Sequence, residues 1–215
     1  MSPGVSPTAR PKLPQPLSLF PLNLVLFPES VLVLRVFEAR YLDLVSECMK
    51  SGAECGGVCL KRGDEPTRRG TKVAFESVGV MARIDDVDAE QAGILRVRCS
   101  GRTRFRLQGP AWQRDDGLWQ SAAEAMAEDP RRSPGPAMLQ TVNALAEAIE
   151  KLHQLEKVPF AEPYRLDDAG WVANRWCELL PVPLAAKQKL MELADPVIRL
   201  SIVDGYLRDK KVVLG

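Results

Sequence analysis

One point in the chain restricts the fold more than any other: the hydrophobic period changes at Glu128-Asp129-Pro130-Arg131-Arg132-Ser133-Pro134-Gly135-Pro136. Before it, apolar residues alternate with polar ones or run in short β-branched stretches; after it, they recur three and four positions apart. A period of two lines one face of a strand, and a period near 3.6 lines one stripe of a helix. The junction itself, with Pro130, Pro134, Gly135 and Pro136, can carry neither. The chain is therefore read as α+β, a β-rich body followed by a helical bundle. The expected segments are a Pro-rich tail over 1–16, a β domain with one inserted helix over 17–129, and a helical domain over 130–215. Pro3, Pro7, Pro11, Pro14 and Pro16 leave the tail little to bury.

Within the β-rich part, Leu22, Leu24 and Leu26 alternate with Asn23 and Val25, and Val31-Leu32-Val33-Leu34 is continuously apolar. Lys72 to Ile84 carries Val73, Phe75, Val78, Val80 and Ile84. Ile94–Cys99 and Thr103–Leu107 alternate strictly and read as a hairpin turning at Ser100-Gly101. Trp119–Met126 is the last expected strand. The inserted helix runs from Glu38 to Lys50, with Tyr41-Leu42, Leu44-Val45 and Cys48-Met49 on one face and Ser51-Gly52 as its stop. Beyond the junction, Met138, Val142, Leu145, Ile149 and Leu152 form one stripe. Asp167 or Asp168 caps a helix bearing Trp171, Trp176 and Leu179 that Pro181 ends, and Pro183 opens a shorter one. Asp195-Pro196 starts a last helix with Val197, Leu200, Val203 and Leu207 inward.

Several classes of chemistry are disfavoured. A net charge of +1 provides no global field toward nucleic acid or an anionic membrane. The most apolar stretch, Leu17–Leu34, is broken by Pro21, Asn23, Pro28 and Glu29, so no membrane span is expected. Five scattered cysteines without a secretory leader read as reduced thiols of a cytoplasmic protein. Gly63 to Lys72 lacks the Gly-Lys-Ser/Thr of a phosphate loop. Cys55 and Cys59 share a strand face, yet ends roughly 13 Å apart cannot hold one metal ion. The single histidine, His153, sits beside Leu152 on a helix and reads as flanking a packed face, so no catalytic residue, metal or cofactor is expected.

The order of short motifs carries a family signature. Leu19-Phe20-Pro21-Leu22, Val25-Leu26-Phe27-Pro28 and Val36-Phe37-Glu38-Ala39-Arg40-Tyr41 come first. Gly57-Val58, Gly70-Thr71 and Gly101-Arg102-Thr103-Arg104-Phe105 follow, then Leu180-Pro181-Val182-Pro183 and Lys187-Gln188-Lys189-Leu190-Met191-Glu192. From about Leu17 to about Lys211 this arrangement resembles the amino-terminal, substrate-binding domain of the ATP-dependent protease Lon. The resemblance implies a distorted, PUA-like β-barrel packed on a helical bundle. It also implies a non-catalytic role in capturing unfolded or tagged proteins or peptides. Because the chain ends at Gly215, no ATPase or protease is expected behind it, and a separate protease is an expected partner. Glu29 departs from the family, which usually has glycine after the Phe-Pro pair, and a left-handed turn there would be strained.

Two polar features remain. Arg96, Arg98, Arg102, Arg104 and Arg106 would share one sheet face if their two segments form a hairpin, offering a phosphate-tracking patch for RNA or a small ligand. No aromatic is interleaved to stack bases, and Glu76, Asp85, Asp86, Glu124 and Glu128 can balance the charge, so a solvated outer face is the preferred reading and nucleic acid is not the expected partner. Phe37, Glu38, Arg40 and Tyr41 mark a strand-to-helix junction, read as structural and holding the helix against the barrel; the alternative makes it one wall of a binding groove. Glu38 and Arg40, two apart, are not expected to meet across a helix turn. Protein capture requires such a groove or a free strand edge.

Overall fold

Alternation in the first half produces nine strands, seen in a computed structural model that describes residues 11–62, 73–155 and 159–213. They are β1 (Leu17–Leu22), β2 (Val31–Val36), β3 (Cys55–Arg62), β4 (Ala74–Phe75), β5 (Val78–Gln91), β6 (Ile94–Leu107), β7 (Trp112–Gln113), β8 (Trp119–Ser121) and β9 (Ala123–Ala125). One sheet runs in the order β2-β6-β5-β3-β1-β8-β7, with β4 added to β3 and β9 to β6. Among the described residues only the β1–β3 pair is parallel, and α1 (Ala39–Ser51) lies in the crossover between its strands, closed by Gly52. The apolar run around Leu24 and Leu26 is not strand; β1 ends at Leu22 and the chain turns toward β2. Gly63–Lys72 and the Gly70-Thr71 motif lie outside the described residues, as do 1–10; Gln15 is already engaged, its side-chain amide bonded to Ala123 N and O.

The expected hairpin at Ser100-Gly101 is a correction. Residues 94–107 form one continuous strand, and its hairpin partner is β5, reached through Ala92-Gly93 with Gly93 at φ 78°. Ser100-Gly101 is a crossing point instead. Gly101 N donates to Ser30 O (2.9 Å) and Gly101 O accepts from Glu29 N (2.8 Å), which stitches the 27–30 loop onto β6. A Cβ at Gly101 would lie 2.1 Å from Phe27 O, so glycine is what lets the two backbones meet. Just beyond, Arg102 and Thr103 together span the interval that Met81 alone spans on β5, a bulge that changes which side chains face inward.

The second half is helical: α2 (Leu139–Gln154) after a 3₁₀ turn at Pro136–Met138, α3 (Ala169–Leu179), α4 (Leu184–Glu192) and α5 (Pro196–Asp209). Asp168 caps α3 by accepting from Gly170 N (2.9 Å), and Asp195 caps α5 from Val197 N (2.8 Å) and Ile198 N (3.1 Å). Leu200, Val203 and Leu207 point inward as expected; Val197 does not, being 37% exposed. The main apolar core is shared by the sheet and the helices, joining Val80, Val97 and Cys99 to Leu44, Leu145, Trp176 and Leu200. A smaller cluster of Leu17, Leu19, Val58, Met81, Phe105, Trp119 and Ala123 lies apart. The chain is α+β, and no described helix is long and apolar enough to cross a membrane.

Candidate functional site

Among the described strands β2 stands at one end of the sheet order, and a cleft of about 210 Å³ lies beside its last residues. One wall is Phe20 to Leu24, at the end of β1 and just after it; the other is Leu34–Glu38 with Tyr41. Its geometry follows from the strand-to-helix junction. Glu38 is extended (φ −79°, ψ 132°) and serves as the N-cap position of α1, so its carboxylate lies outside the helix and pairs with Arg40 Nη2. The expectation that these two side chains would not meet is corrected: the helical spacing rule does not govern a residue that precedes the helix. The Arg40 guanidinium stands 5.1 Å from the Tyr41 ring centre, and Tyr41 packs at 4.6 Å on Phe20. Phe37 is left 59% exposed at the rim, a large apolar side chain next to an apolar-walled cleft.

The five arginines singled out in the sequence do not form one patch. Arg104 is buried, 4% exposed, by the bulge before it. Arg96 pairs with Asp88 (2.8 Å) and Arg102 approaches Glu54 (3.6 Å). Arg98 and Arg106 stand in register with Asp86 and Glu124. This is a charge-balanced outer face with one member turned inward.

Sequence reasoning missed what Arg104 does. It donates to Met191 O (2.9 Å), Leu193 O (2.8 Å) and the Asp129 carboxylate, tying β6 to α4. Arg199 from α5 reaches the same carboxylate (2.7 Å), Asn174 Oδ1 (3.0 Å) and Leu190 O (2.9 Å). Burial lowers the Arg104 pKa from its ordinary value, and Asp129 opposes that. Arg175, fully buried, donates to Glu29 O and Pro28 O (both 2.9 Å) and to Glu178, with Phe160 and Trp171 rings 5.5 Å away. Burial pushes the Glu178 carboxyl up to about 7 despite Arg175. Glu29 does take the left-handed conformation, at φ 64°, held by this contact and by an ion pair with Arg165.

Phe27 and Phe105 are fully buried, Pro21 lines the cleft, and Gly57 sits where a Cβ would meet Leu26 and Val80 O. His153 is exposed and shares a hydrogen bond with Tyr164 Oη (2.8 Å). All five thiols are unpaired and buried; burial raises Cys59 to about 11 and both Cys99 and Cys177 to about 12, which keeps those three as thiols. Among the described residues no cluster of histidine, cysteine and carboxylate side chains could hold a metal ion.

Residues 16–209 match the family model described as the ATP-dependent protease La (LON) substrate-binding domain. Among solved structures, the chain is similar to a Lon N-terminal domain protein from Xanthomonas campestris, at 30% identity and a TM-score of 0.68, over 88% of this chain and 97% of that one. The N-terminal domain of a Mycobacterium avium complex Lon protease shares the fold at 16% identity and a TM-score of 0.63, over 91% and 99% of the respective chains. No curated protein matches the sequence.

Proposed function

Because the chain belongs to the family of ATP-dependent protease La (LON) substrate-binding domains, we propose that it captures polypeptide segments of protein substrates in the cleft between β2 and the end of β1. The observation that carries this reading is Phe37, 59% exposed at the mouth of a cleft walled by Phe20, Leu22, Leu24 and Leu34. An apolar segment laid there removes both surfaces from water, which favours association at about 25 cal/mol per Å² of apolar area. Native proteins keep such segments inside, so the cleft selects unfolded or exposed stretches.

The module provides a grip and performs no reaction. Unfolding and cleavage belong to an ATP-dependent protease that it serves, and buried, reduced thiols suit a cytoplasmic setting. RNA binding receives no support from the arginines, which are paired, opposed in register or buried.

The test is fluorescence anisotropy of a labelled, permanently unfolded protein such as reduced, carboxymethylated lactalbumin. Phe37→Ala is expected to weaken binding about tenfold, the worth of one well-buried aromatic contact. Leu155→Ala, exposed at the far end of α2, is the control. Equal binding by Phe37→Ala and wild type would place capture elsewhere on the molecule.

A further inference from the structure

We propose that a second cleft, between the 27–30 loop, β6 and α3, binds a carboxylate that stands next to an amide N–H, the group that ends a polypeptide or an N-acylated amino acid. This goes beyond the capture reading, because no described residue lines both this cleft and the one beside β2.

The cleft measures about 470 Å³, within the range of small-ligand sites. Its deepest lining residues are Arg104 and Asn174, each 4% exposed, with Asp129 between the sheet and the helices. Behind them the buried Arg199 shares the Asp129 carboxylate with Arg104. No second carboxylate bonds either arginine among the described residues, so one buried positive charge is left in excess, where lack of a counterion is costly. Asn174 spends its Oδ1 on Arg199 Nη1 (3.0 Å). Its amide nitrogen has no acceptor among the described residues and is not sealed from solvent, so two N–H donors are left to the cleft that Asn174 lines.

Arg102 and Arg131, both exposed, line the same cleft. Their nearest carboxylates, Glu54 at 3.6 Å and Asp168 at 3.8 Å, are beyond hydrogen-bond length, and no described residue accepts from either guanidinium. Planar N–H pairs of this kind match the two oxygens of a carboxylate. Charge then selects a monoanion. Among the described lining residues four arginines meet four carboxylates, and Arg199 behind them adds the excess charge. A dianion such as phosphate overshoots that excess, and Glu128 in the same lining repels it. Beside a carboxylate that carries an amide, Glu128 instead has an N–H to accept, and Trp171 gives the ligand an apolar wall.

The test is fluorescence anisotropy with a fluorescein-labelled Gly-Ser-Gly-Ser-Gly-Ala peptide, which has no large apolar side chain for the cleft beside β2. The free acid is expected to bind about tenfold or more tighter than the same peptide ending in a carboxamide, the loss of a charge-assisted contact. N-acetylalanine should displace it, and inorganic phosphate at equal concentration should not. Arg102→Gln and Arg131→Gln are each expected to weaken the free acid about fivefold. Asn174→Asp supplies the missing negative charge from within the protein and should abolish binding while raising the urea midpoint; the acid and amide peptides decide the question even if that variant does not fold. Equal binding of acid and amide, no binding of either, or displacement by phosphate as effective as by N-acetylalanine would overturn the proposal. The capture reading is judged separately, by Phe37→Ala and the unfolded protein, so either can fall without the other.

Discussion

Asp129 is the residue whose loss should be felt most, because two buried arginines share it. The side chains of Arg104 and Arg199 are 3% and 1% exposed, and their guanidinium groups approach the two oxygens of one carboxylate. Asp129→Ala leaves two like charges buried side by side without the carboxylate they share. Carbonyls remain as acceptors at Met191, Leu193 and Leu190, which offsets some of the desolvation but none of the charge. Breaking a buried pair by deleting one partner costs about 3–5 kcal/mol. At about 2–4 °C per kcal/mol for a chain of this size, the midpoint should fall by roughly 6–20 °C. Urea unfolding followed by tryptophan fluorescence reads it directly, since Trp171 and Trp176 lie in α3 beside the network. Asp129→Asn, which keeps an acceptor and loses the charge, should fall between wild type and alanine. Adding Arg104→Met to Asp129→Ala should recover part of the loss. A cost under about 1 kcal/mol for Asp129→Ala, the scale of a surface ion pair, would refute the account.

Three other outcomes are expected. Gly101→Ala places a methyl 2.1 Å from Phe27 O, so the 27–30 loop must lift off β6; a loss of about 3 kcal/mol in urea is expected. Glu29→Gly relieves a left-handed backbone at φ 64°, a strain of order 1–2 kcal/mol, against loss of the half-exposed pair with Arg165; the net effect should be a gain of about 0.5–1 kcal/mol by thermal melting. For Glu178 the folded carboxyl is raised from 4.5 to about 7, so the folded state holds the proton more tightly than the unfolded one. Its stabilisation is complete below about pH 4.5 and is lost as pH rises through 7, a fall of about 3 kcal/mol that Glu178→Gln should remove from urea midpoints taken between pH 5 and 8.

Period and punctuation made the helices legible. Asp168 and Asp195 cap where their side chains could be read to do so, and Pro181 and Gly52 stop helices as proline and glycine should. The strands were harder, because alternation gives a strand's face but not its partner. Ile94–Cys99 and Thr103–Leu107 both alternate whether they form a hairpin or one strand, and Ser100-Gly101 is turn chemistry in either case. Only the distant Phe27 carbonyl, pressing where a Cβ would be, explains that glycine. The same bulge made Arg104 look like its neighbours while burying it. Of the candidate site, Phe37, Glu38, Arg40 and Tyr41 were read as a junction that pins the helix, with a groove wall only as the alternative. The cleft beside β2 was not, because which segments flank it depends on the order of strands in the whole sheet.

The placement of the buried arginines bears on how firmly the β2 wall of the cleft is held. β2 has six residues and an exposed Arg35 facing Glu90. A mobile wall would lose affinity, since each residue ordered on binding costs free energy. The β2 base is held against such motion: Gly101 bonds the loop at Glu29 and Ser30, and Arg175 grips Pro28 O and Glu29 O from α3. Those ties lie at the start of β2, where Phe160 also bridges Ser30. The strand is therefore anchored through its first residues, and on the proposed reading the helical half serves capture by holding one wall of the cleft rigid against a flexible substrate.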